Sequence, residues 1–292
     1  MKEADRGIRL EGAPEPHKMI PASGGVQVAA DVYGHSGPLV ILQHGGGQTR
    51  HAWKGAGQKL AEAGYLAVSL DARGHGDSDW APDGDYSTDS LVEDLVAIVE
   101  HLGQRPILVG ASMGGGTSLT AVGEARVAAK ALVLVDTAPQ IEIGGVRKIR
   151  NFMGQAPDGF TSLEEVAEAI SNYQPHRKRS RNLEGLAKNV RLWPDGRYRW
   201  HWDPEFMQRK GSIADRVRRQ EEAAKNIGCP SLLVRGGLSD VLSEEGAQAY
   251  LELVPHSEYA NVGDAAHMVA GDRNDVFVSS VLSFLSKVAP SN

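Results

Sequence analysis

The stretch RPILVGASMGGGTSL, residues 105–119, decides the fold. Four apolar residues lead to a serine, Ser112, that stands among glycines, and a helix-like segment follows directly. A buried strand, a sharp turn and a helix in this order are typical of a nucleophile elbow, in which the serine adopts a strained backbone conformation. Gly110 and Gly114 stand where the strand and helix backbones come too close for a side chain. The stretch therefore predicts that Ser112 is an exposed nucleophile and that the Met113 N–H faces a developing oxyanion.

On both sides of this stretch, short runs rich in Val, Ile and Leu alternate with helix-period segments. This alternation predicts an α/β fold, a largely parallel sheet covered by helices. The predicted strands are 26–33, 39–43, 65–70, 107–111, 131–135, 231–235 and 258–262. The first of them alternates less cleanly than the rest, and we expect it at an edge. The predicted helices are 52–63, 90–101, 113–124, 244–253 and 274–286.

One interval, residues 138–228, interrupts the alternation. It contains no strand-like run, and two of its segments have a helical period. We therefore expect a helical cap inserted between two parts of one core, residues 1–137 and 229–292. The interval has 17 Lys and Arg against 12 Asp and Glu, a net charge of +5, which leaves −11 for the rest of the chain. The sequence predicts a basic cap over an acidic core.

Composition excludes several classes of protein. The chain of 292 residues is 41% hydrophobic and 23% charged, which is ordinary for a globular protein with a large core. A nucleic-acid module would rest only on the basic run HRKRSR, residues 176–181, and the net charge of −6 argues against it. No apolar window is long enough to span a membrane, and the first residues lack the apolar region of a secretory signal. We expect a cytoplasmic protein without membrane contact.

Cysteine and histidine spacing gives no sign of a metal site or a disulfide. The single cysteine, Cys229, has no partner in the chain, and no Cys/His pair has the spacing of metal ligands. We therefore expect neither a metal nor another cofactor. Nothing in the sequence indicates a homo-oligomer.

A serine nucleophile needs a base and a carboxylate that orients the base. His267 follows the last predicted strand and precedes the last helix, in a loop that can return over Ser112. Asp240, shortly after the strand 231–235, is the favoured acid and gives the chain order Ser, Asp, His. Asp136, directly after the strand 131–135, is its competitor.

The segment HGGG, residues 44–47, follows another predicted strand. Its glycines leave backbone N–H groups uncovered near the elbow, and we expect the Gly46 N–H to pair with that of Met113 as the second oxyanion donor. His44 is expected to fix this loop by a hydrogen bond and is a further candidate for substrate binding.

These pieces together resemble the α/β-hydrolase family over nearly the whole chain. The resemblance implies an eight-stranded, mostly parallel sheet with the second strand antiparallel and a cap inserted after the sixth strand. The chain is similar to the epoxide hydrolase, haloperoxidase and esterase branch, but it carries Ser112 where epoxide hydrolases and haloalkane dehalogenases carry an aspartate. It differs from relatives of hormone-sensitive lipase, which have a YRLAPE-type segment in place of DARGHGDS. The matching motifs are HGGG (44–47), DARGHGDS (71–78), GASMGG (110–115), RGGLSD (235–240) and DAAHM (264–268).

The expected activity is hydrolysis of a carboxylic ester through an acyl-enzyme on Ser112. A lactone, a thioester, an activated C–C bond or perhydrolysis would use the same residues, and a receptor of this fold without turnover is the alternative from another class. The expected substrate is a small to medium apolar or aromatic molecule. Trp193, Trp200 and Trp202 would form an aromatic wall for it, or equally pack the core of the cap.

Three arginines are interleaved with these aromatic residues: Arg191, Arg197 and Arg199. Arginine suits carboxylate recognition because its planar fork donates two parallel hydrogen bonds. An anionic substrate such as a dicarboxylic monoester is therefore one interpretation. The other interpretation, which we favour, is that these arginines form salt bridges with the acidic residues of the core and only fasten the cap.

Overall fold

The computed structural model describes residues 6–174, 183–208 and 212–291. The basic run HRKRSR, residues 176–181, lies outside the described residues. Among the helices that are described, none combines the length and the apolar character needed to cross a bilayer.

Eight strands form one large sheet, and three short ones form a second sheet. The strands in chain order are β1 (Ile8–Arg9), β2 (Lys18–Pro21), β3 (Gln27–Tyr33), β4 (Leu39–Gln43), β5 (Leu66–Leu70), β6 (Ile107–Ala111), β7 (Ala131–Val135), β8 (Val190–Leu192), β9 (Tyr198–Trp200), β10 (Ser231–Gly236) and β11 (Glu258–Val262). The large sheet has the order β11-β10-β7-β6-β4-β5-β3-β2. β3 runs antiparallel to both of its neighbours, β2 and β5, and the other neighbouring pairs of this sheet are parallel. The predicted eight-stranded, mostly parallel sheet is confirmed.

The edge of this sheet differs from the prediction. β3 is not an edge strand, because β2 pairs with it on the outside. β2 has the sequence KMIP, in which only Ile20 is buried. So short a strand, ending in proline, carries too little alternation to be recognised from sequence.

Helices cover both faces of the large sheet. They are α1 (Lys54–Glu62), α2 (Thr88–Leu102), α3 (Met113–Gly123), α4 (Ile143–Met153), α5 (Leu163–Tyr173), α6 (Ile213–Lys225), α7 (Glu244–Leu253), α8 (Val269–Asp272) and α9 (Asn274–Val288). Alternate residues of β4 enter two separate apolar clusters, Leu39 and Ile41 on one face and Val40 and Leu42 on the other. Because both faces are buried, the central strands consist of continuous apolar residues.

The carboxyl ends of the parallel strands lie at one edge. In the register of the sheet, Gly110 is opposite Gln43, Val135 is opposite Ala111, and Gly236 is opposite Val262. The loops that follow β4, β6, β7, β10 and β11 therefore leave the sheet side by side, and these loops carry the predicted site residues.

The insertion between β7 and β10 is not purely helical. It contains β8 and β9, which pair with each other, and β1 from the start of the chain pairs with β8. The expectation of no strand in this interval is wrong, because β8 and β9 are only three residues long and show no strand-like run in the sequence. The insertion has its own apolar cluster, which includes Phe160, Val166 and Trp200.

The last helix of the insertion belongs to the layer that covers the sheet. α6 packs on α3 so closely that a Cβ atom at Gly123 would stand 2.1 Å from the Ala223 carbonyl oxygen. Ala224 of α6 enters the same apolar cluster as Leu119 of α3. The part of the insertion that stands over the sheet edge is thus made of α4, α5, β8 and β9.

Candidate active site

Ser112 occupies a sharp turn between β6 and α3. Its backbone has φ 48° and ψ −112°, a strained conformation for a residue with a side chain. The close approach predicted for the two flanking glycines is present. A Cβ atom at Gly110 would lie 2.5 Å from the Gly114 carbonyl carbon, and one at Gly114 would lie 2.6 Å from Gln43 Cβ.

The glycine loop after β4 passes beside Ser112. A Cβ atom at Gly45 would lie 3.2 Å from Ser112 Cβ. The Gly45 N–H donates to Gln48 Oε1 (3.2 Å) and the Gly47 N–H donates to His75 Nε2 (3.1 Å). Within the described chain, the Gly46 N–H between them donates to no protein atom, and neither does the Met113 N–H at the start of α3.

His267 is hydrogen-bonded to Asp136. His267 Nδ1 lies 2.7 Å from Asp136 Oδ2, so Nδ1 carries the proton and Nε2 is the nitrogen left for a substrate or a nucleophile. Asp136 is fully buried. It also accepts from the Gly236 N–H (2.8 Å) and from Ser239 Oγ (2.5 Å). Three hydrogen bonds thus hold this carboxylate in place.

The prediction that Asp240 orients His267 is wrong. The Asp240 side chain is 49% exposed and accepts from Lys148 Nζ of α4 at 2.7 Å. The order of the sheet explains the difference. β7 lies directly beside the elbow strand β6, and Asp136 is the first residue after β7. Asp240 stands four residues beyond the end of β10, where its side chain meets Lys148 instead. The loop of Asp240 contributes Ser239 to Asp136 instead of contributing its own acid.

Two adjoining cavities meet at Ser112 and His267. The larger cavity has a volume of about 520 Å³ and the smaller one about 340 Å³. Both are lined by Ser112, His267 and Phe152. Residues of α3, α4 and α6 surround the larger cavity, and Gly46 and Met113 also line it. Trp200 and Trp202 line the smaller cavity and also pack in the apolar cluster of the insertion.

Tyr173 closes part of the larger cavity and stacks on Phe152 with a centroid distance of 4.2 Å. Burial, together with the negative charge of Asp240, raises the pKa of Tyr173 to about 12. The phenol therefore stays neutral near pH 7.

Two other candidates for substrate binding lie elsewhere. His44 is buried, its Nδ1 lies 2.7 Å from the Gly45 carbonyl oxygen, and its Nε2 accepts from the Ala72 N–H (3.0 Å). Burial lowers the pKa of His44, so this residue is a neutral loop-fixing group, and the substrate-binding prediction is wrong. Trp193 lines neither cavity among the described residues. It packs instead beside Gly7 and under the Arg199 guanidinium.

The three arginines predicted beside the tryptophans are fixed within the protein. Arg191 is buried and donates to Asp77 Oδ1 (2.7 Å) and to the Gly76 carbonyl oxygen. Arg197 donates to the Gly159 carbonyl oxygen, and Arg199 binds Asp195. None of the three lines either cavity, so the anion-binding interpretation fails for them. The fastening interpretation fits Arg191, which binds Asp77 of the core. It does not fit Arg197 and Arg199, whose partners Gly159 and Asp195 lie in the insertion itself.

A buried polar network beneath the cap supports the loops of the site. Arg50 is fully buried and contacts Asp31, Asp71 and Asp77 at 2.6–2.9 Å. Arg50 was not predicted from the sequence. Its ion pairs are indicated there only by a charged residue in QTRHAW, directly after a glycine loop, and by the later acidic motif DARGHGDS.

Two histidines of this network stabilise the same loops through backbone N–H groups. His75 accepts from Gly47, and His201 of the cap accepts from the Gly76 N–H through Nδ1 at 2.8 Å. Burial and the neighbouring positive charges lower the pKa of His201 well below its usual range, so it remains a neutral acceptor. Nothing in the local sequence marks His201, because its partner is 125 residues away.

Among the residues described, no group of three His, Cys, Asp or Glu side chains is placed to hold a metal ion.

Comparison with known proteins gives the family. The family model of the alpha/beta hydrolase fold matches residues 38–273. The esterase Rv0045c of Mycobacterium tuberculosis is 26% identical over 88% of this chain and 86% of its own length, and its crystal structure matches with a TM-score of 0.73 over 94% of this chain and 92% of that one. The sn-1-specific diacylglycerol lipase ABHD11 of Mus musculus is 23% identical over 85% of this chain and 81% of its own length.

A further solved structure, that of E-2-(acetamidomethylene)succinate hydrolase, matches in fold with a TM-score of 0.80 at 22% identity, over 92% of this chain and 98% of that chain. These similarities support a hydrolase. The order of the sheet, the elbow and the family match agree, and the chain belongs to the α/β-hydrolase fold family.

Proposed function

We propose that the protein is a serine hydrolase of carboxylic esters, with Ser112 as nucleophile, His267 as base and Asp136 as the acid that orients the base. The observation that carries the proposal is the hydrogen bond between Asp136 and His267 beside cavities that Ser112 also lines. A serine hydroxyl at a strained turn, a histidine with one nitrogen fixed by a buried carboxylate and an open cavity are what acyl transfer requires.

The reaction follows from these positions. Ser112 Oγ attacks the ester carbonyl carbon while His267 Nε2 takes the hydroxyl proton. Asp136 keeps the proton on Nδ1 and stabilises the imidazolium that forms. The N–H groups of Gly46 and Met113, which have no acceptor among the described residues, donate to the oxyanion. The tetrahedral intermediate then expels the alkoxide, which takes the proton from Nε2. Water repeats the sequence on the acyl-enzyme and releases the acid.

The two cavities fit the two arms of an ester. An ester extends from its carbonyl carbon in two directions, and the cavities extend in two directions from Ser112 and His267. Their walls contain apolar and aromatic side chains such as Ile149, Met153 and Trp202. This supports a small-molecule ester of small to medium size with apolar or aromatic groups. The similarity to the esterase Rv0045c supports the same class of bond.

Turnover of an ester panel tests the proposal. 4-Nitrophenyl esters of increasing acyl length are given in excess, and nitrophenol is counted per protein chain. We expect many turnovers for the wild type and a loss of at least about three orders of magnitude in kcat for Ser112→Ala, because the members of a triad act as a unit. Ser243→Ala is the matched control, since it removes only the cap of α7 and should leave kcat within about twofold.

Two results would refute the proposal. One is release of no more than one nitrophenol per chain, which would indicate a receptor or a single labelling event. The other is Ser112→Ala turnover equal to that of the wild type while the variant remains folded.

A further inference from the structure

Arg216 of α6 lines the larger cavity, and its side chain has no partner among the described residues. It lies in the second half-turn of α6, its side chain is partly buried, and no described residue forms a hydrogen bond or ion pair with its guanidinium. A guanidinium that loses water without gaining an acceptor is unfavourable. Burial is the one cause that changes the pKa of Arg216, and it lowers this pKa.

The acidic residues of the cavity wall are already paired with other arginines. Asp89 binds Arg219 at 2.6 Å, and Asp215 binds Arg218 at 2.7 Å. No carboxylate that lines the cavity is therefore left to neutralise Arg216.

Arg150, another arginine of this cavity, donates to the Met207 carbonyl oxygen at 3.3 Å and is exposed. Among the cavity's arginines, Arg216 thus differs in being both partly buried and without any acceptor in the described chain.

Helix packing places Arg216 on the side of the cavity that leads to Ser112. Gln220 of α6 contacts the first turn of α3, where a Cβ atom at Gly116 would lie 2.6 Å from Gln220 Nε2. Gly123, further along α3, meets Ala223, further along α6, so the two helices run in the same direction. Arg216 precedes Gln220 by four residues and shares its helix face. It therefore lies one turn nearer to the start of α3, which directly follows Ser112.

We propose that Arg216 binds a carboxylate carried by the substrate, so that the preferred substrates are esters with a second, anionic end in the larger cavity. This inference rests on the proposed ester hydrolysis. The planar guanidinium donates two parallel hydrogen bonds to a carboxylate, and in a partly dry cavity such a pair is stronger than at the surface. The cavity, at about 520 Å³, accommodates an acyl chain that ends in such a group.

The test compares two esters of equal length: the mono-4-nitrophenyl ester of adipic acid and its neutral methyl diester analogue. We expect wild-type kcat/KM to favour the anionic ester by at least about tenfold, and this preference to weaken as salt is added. Arg216→Met should remove the preference by slowing the anionic ester alone, and Arg216→Lys should retain part of it. Arg126→Met is the matched control. It removes the same charge from an exposed position outside the cavity wall, and the preference should survive.

A binding measurement separates this proposal from the proposed function. In the Ser112→Ala background, calorimetry with monomethyl adipate should show Kd at least about tenfold weaker after Arg216→Met and unchanged after Arg126→Met. If the diester turns over through Ser112 while Arg216→Met changes neither preference nor Kd, the anion site is refuted and the esterase stands. Loss of the preference in Lys188→Met, which alters the smaller cavity, with no loss in Arg216→Met would also refute it. If neither ester turns over but Kd depends on Arg216, the anion site stands and the esterase is refuted.

Discussion

Two buried or partly buried arginines of this protein are in opposite situations. Arg50, beneath the cap, is fully buried and has carboxylate or carbonyl acceptors for its side chain on Asp31, Asp71, Asp77 and Pro14. Arg216, in the larger cavity, has no acceptor in the described chain. The presence or absence of acceptors distinguishes polar groups that stabilise the fold from those that are left for a ligand. A charge with all its partners inside the protein fixes geometry, and a charge without them is available to a substrate.

Backbone N–H groups around the elbow show the same division. The N–H groups of Gly45 and Gly47 are occupied by Gln48 and His75, and these bonds fix the loop. The N–H of Gly46 between them is unoccupied in the described chain, as expected for a group that will meet an oxyanion.

We expect the largest loss of activity from a substitution of Asp136, which is held by partners inside the protein and also contacts His267. Its hydrogen bonds from Gly236 and Ser239 hold it, and its bond to His267 is the one that we propose orients the base. Asp136→Asn should lower kcat by on the order of 10³- to 10⁴-fold, because the amide favours the wrong tautomer and cannot stabilise the imidazolium. Asp240→Asn, which alters only an exposed ion pair, should stay within about threefold. Equal effects of the two substitutions on kcat would contradict the assignment.

Substitution of Arg50 and of Arg216 should change the free energy of unfolding by different amounts. Arg50→Met should lower the free energy of unfolding by about 3–5 kcal/mol, because it leaves buried carboxylates without their partner. Arg216→Met should leave it unchanged within about 1 kcal/mol or raise it, because no partner is lost. Urea unfolding of both variants measures this. A loss of similar size in Arg216→Met would mean that Arg216, like Arg50, stabilises the fold through partners inside the protein.

The smallest expected effect is a pH dependence of stability that comes from Asp31, one of the acids that bind Arg50. Burial by itself would raise the pKa of Asp31, but hydrogen bonds from His51 and Arg50 and the charge of Arg50 lower it to about 2, from 3.8. Ionised Asp31 thus adds stability above pH 3.8, and this contribution, about 2 kcal/mol, is lost as the pH falls towards 2.

The free energies of unfolding of wild type and Asp31→Asn should therefore differ most at neutral pH and converge below pH 3.8. A difference that is the same at pH 6 and pH 3 would show that the charge of the Asp31 carboxylate contributes nothing to the free energy of unfolding.

The core of the fold was predictable because its signals are local. The strands at 39–43, 107–111, 131–135 and 258–262 agree with the structure to the residue, since each is a short run bounded by turn residues. β1, β8 and β9 were not predicted, because they are two or three residues long and β1 finds its partner on the far side of the chain. Such pairing leaves no periodic signal.

The choice of acid shows where sequence reasoning about the site ends. Asp136 and Asp240 both follow a strand and both lie between Ser112 and His267 in the chain, so chain order does not separate them. Only the position of β7 next to the elbow strand does. Arg216 was not singled out for a related reason. It has an ordinary place in a charged helix, and the lack of a partner is a property of the folded chain.

Covalent labelling tests the central claim, that Ser112 is the nucleophile, most directly. The protein is incubated with an excess of a 4-nitrophenyl alkylphosphonate, which leaves a stable phosphonyl group on an activated serine, and the intact mass and peptides are measured. The account predicts one phosphonyl group per chain, on the peptide that contains Ser112, with no label on Ser112→Ala and slower labelling of Asp136→Asn. A label on another residue, or equal labelling of Ser112→Ala, would contradict it.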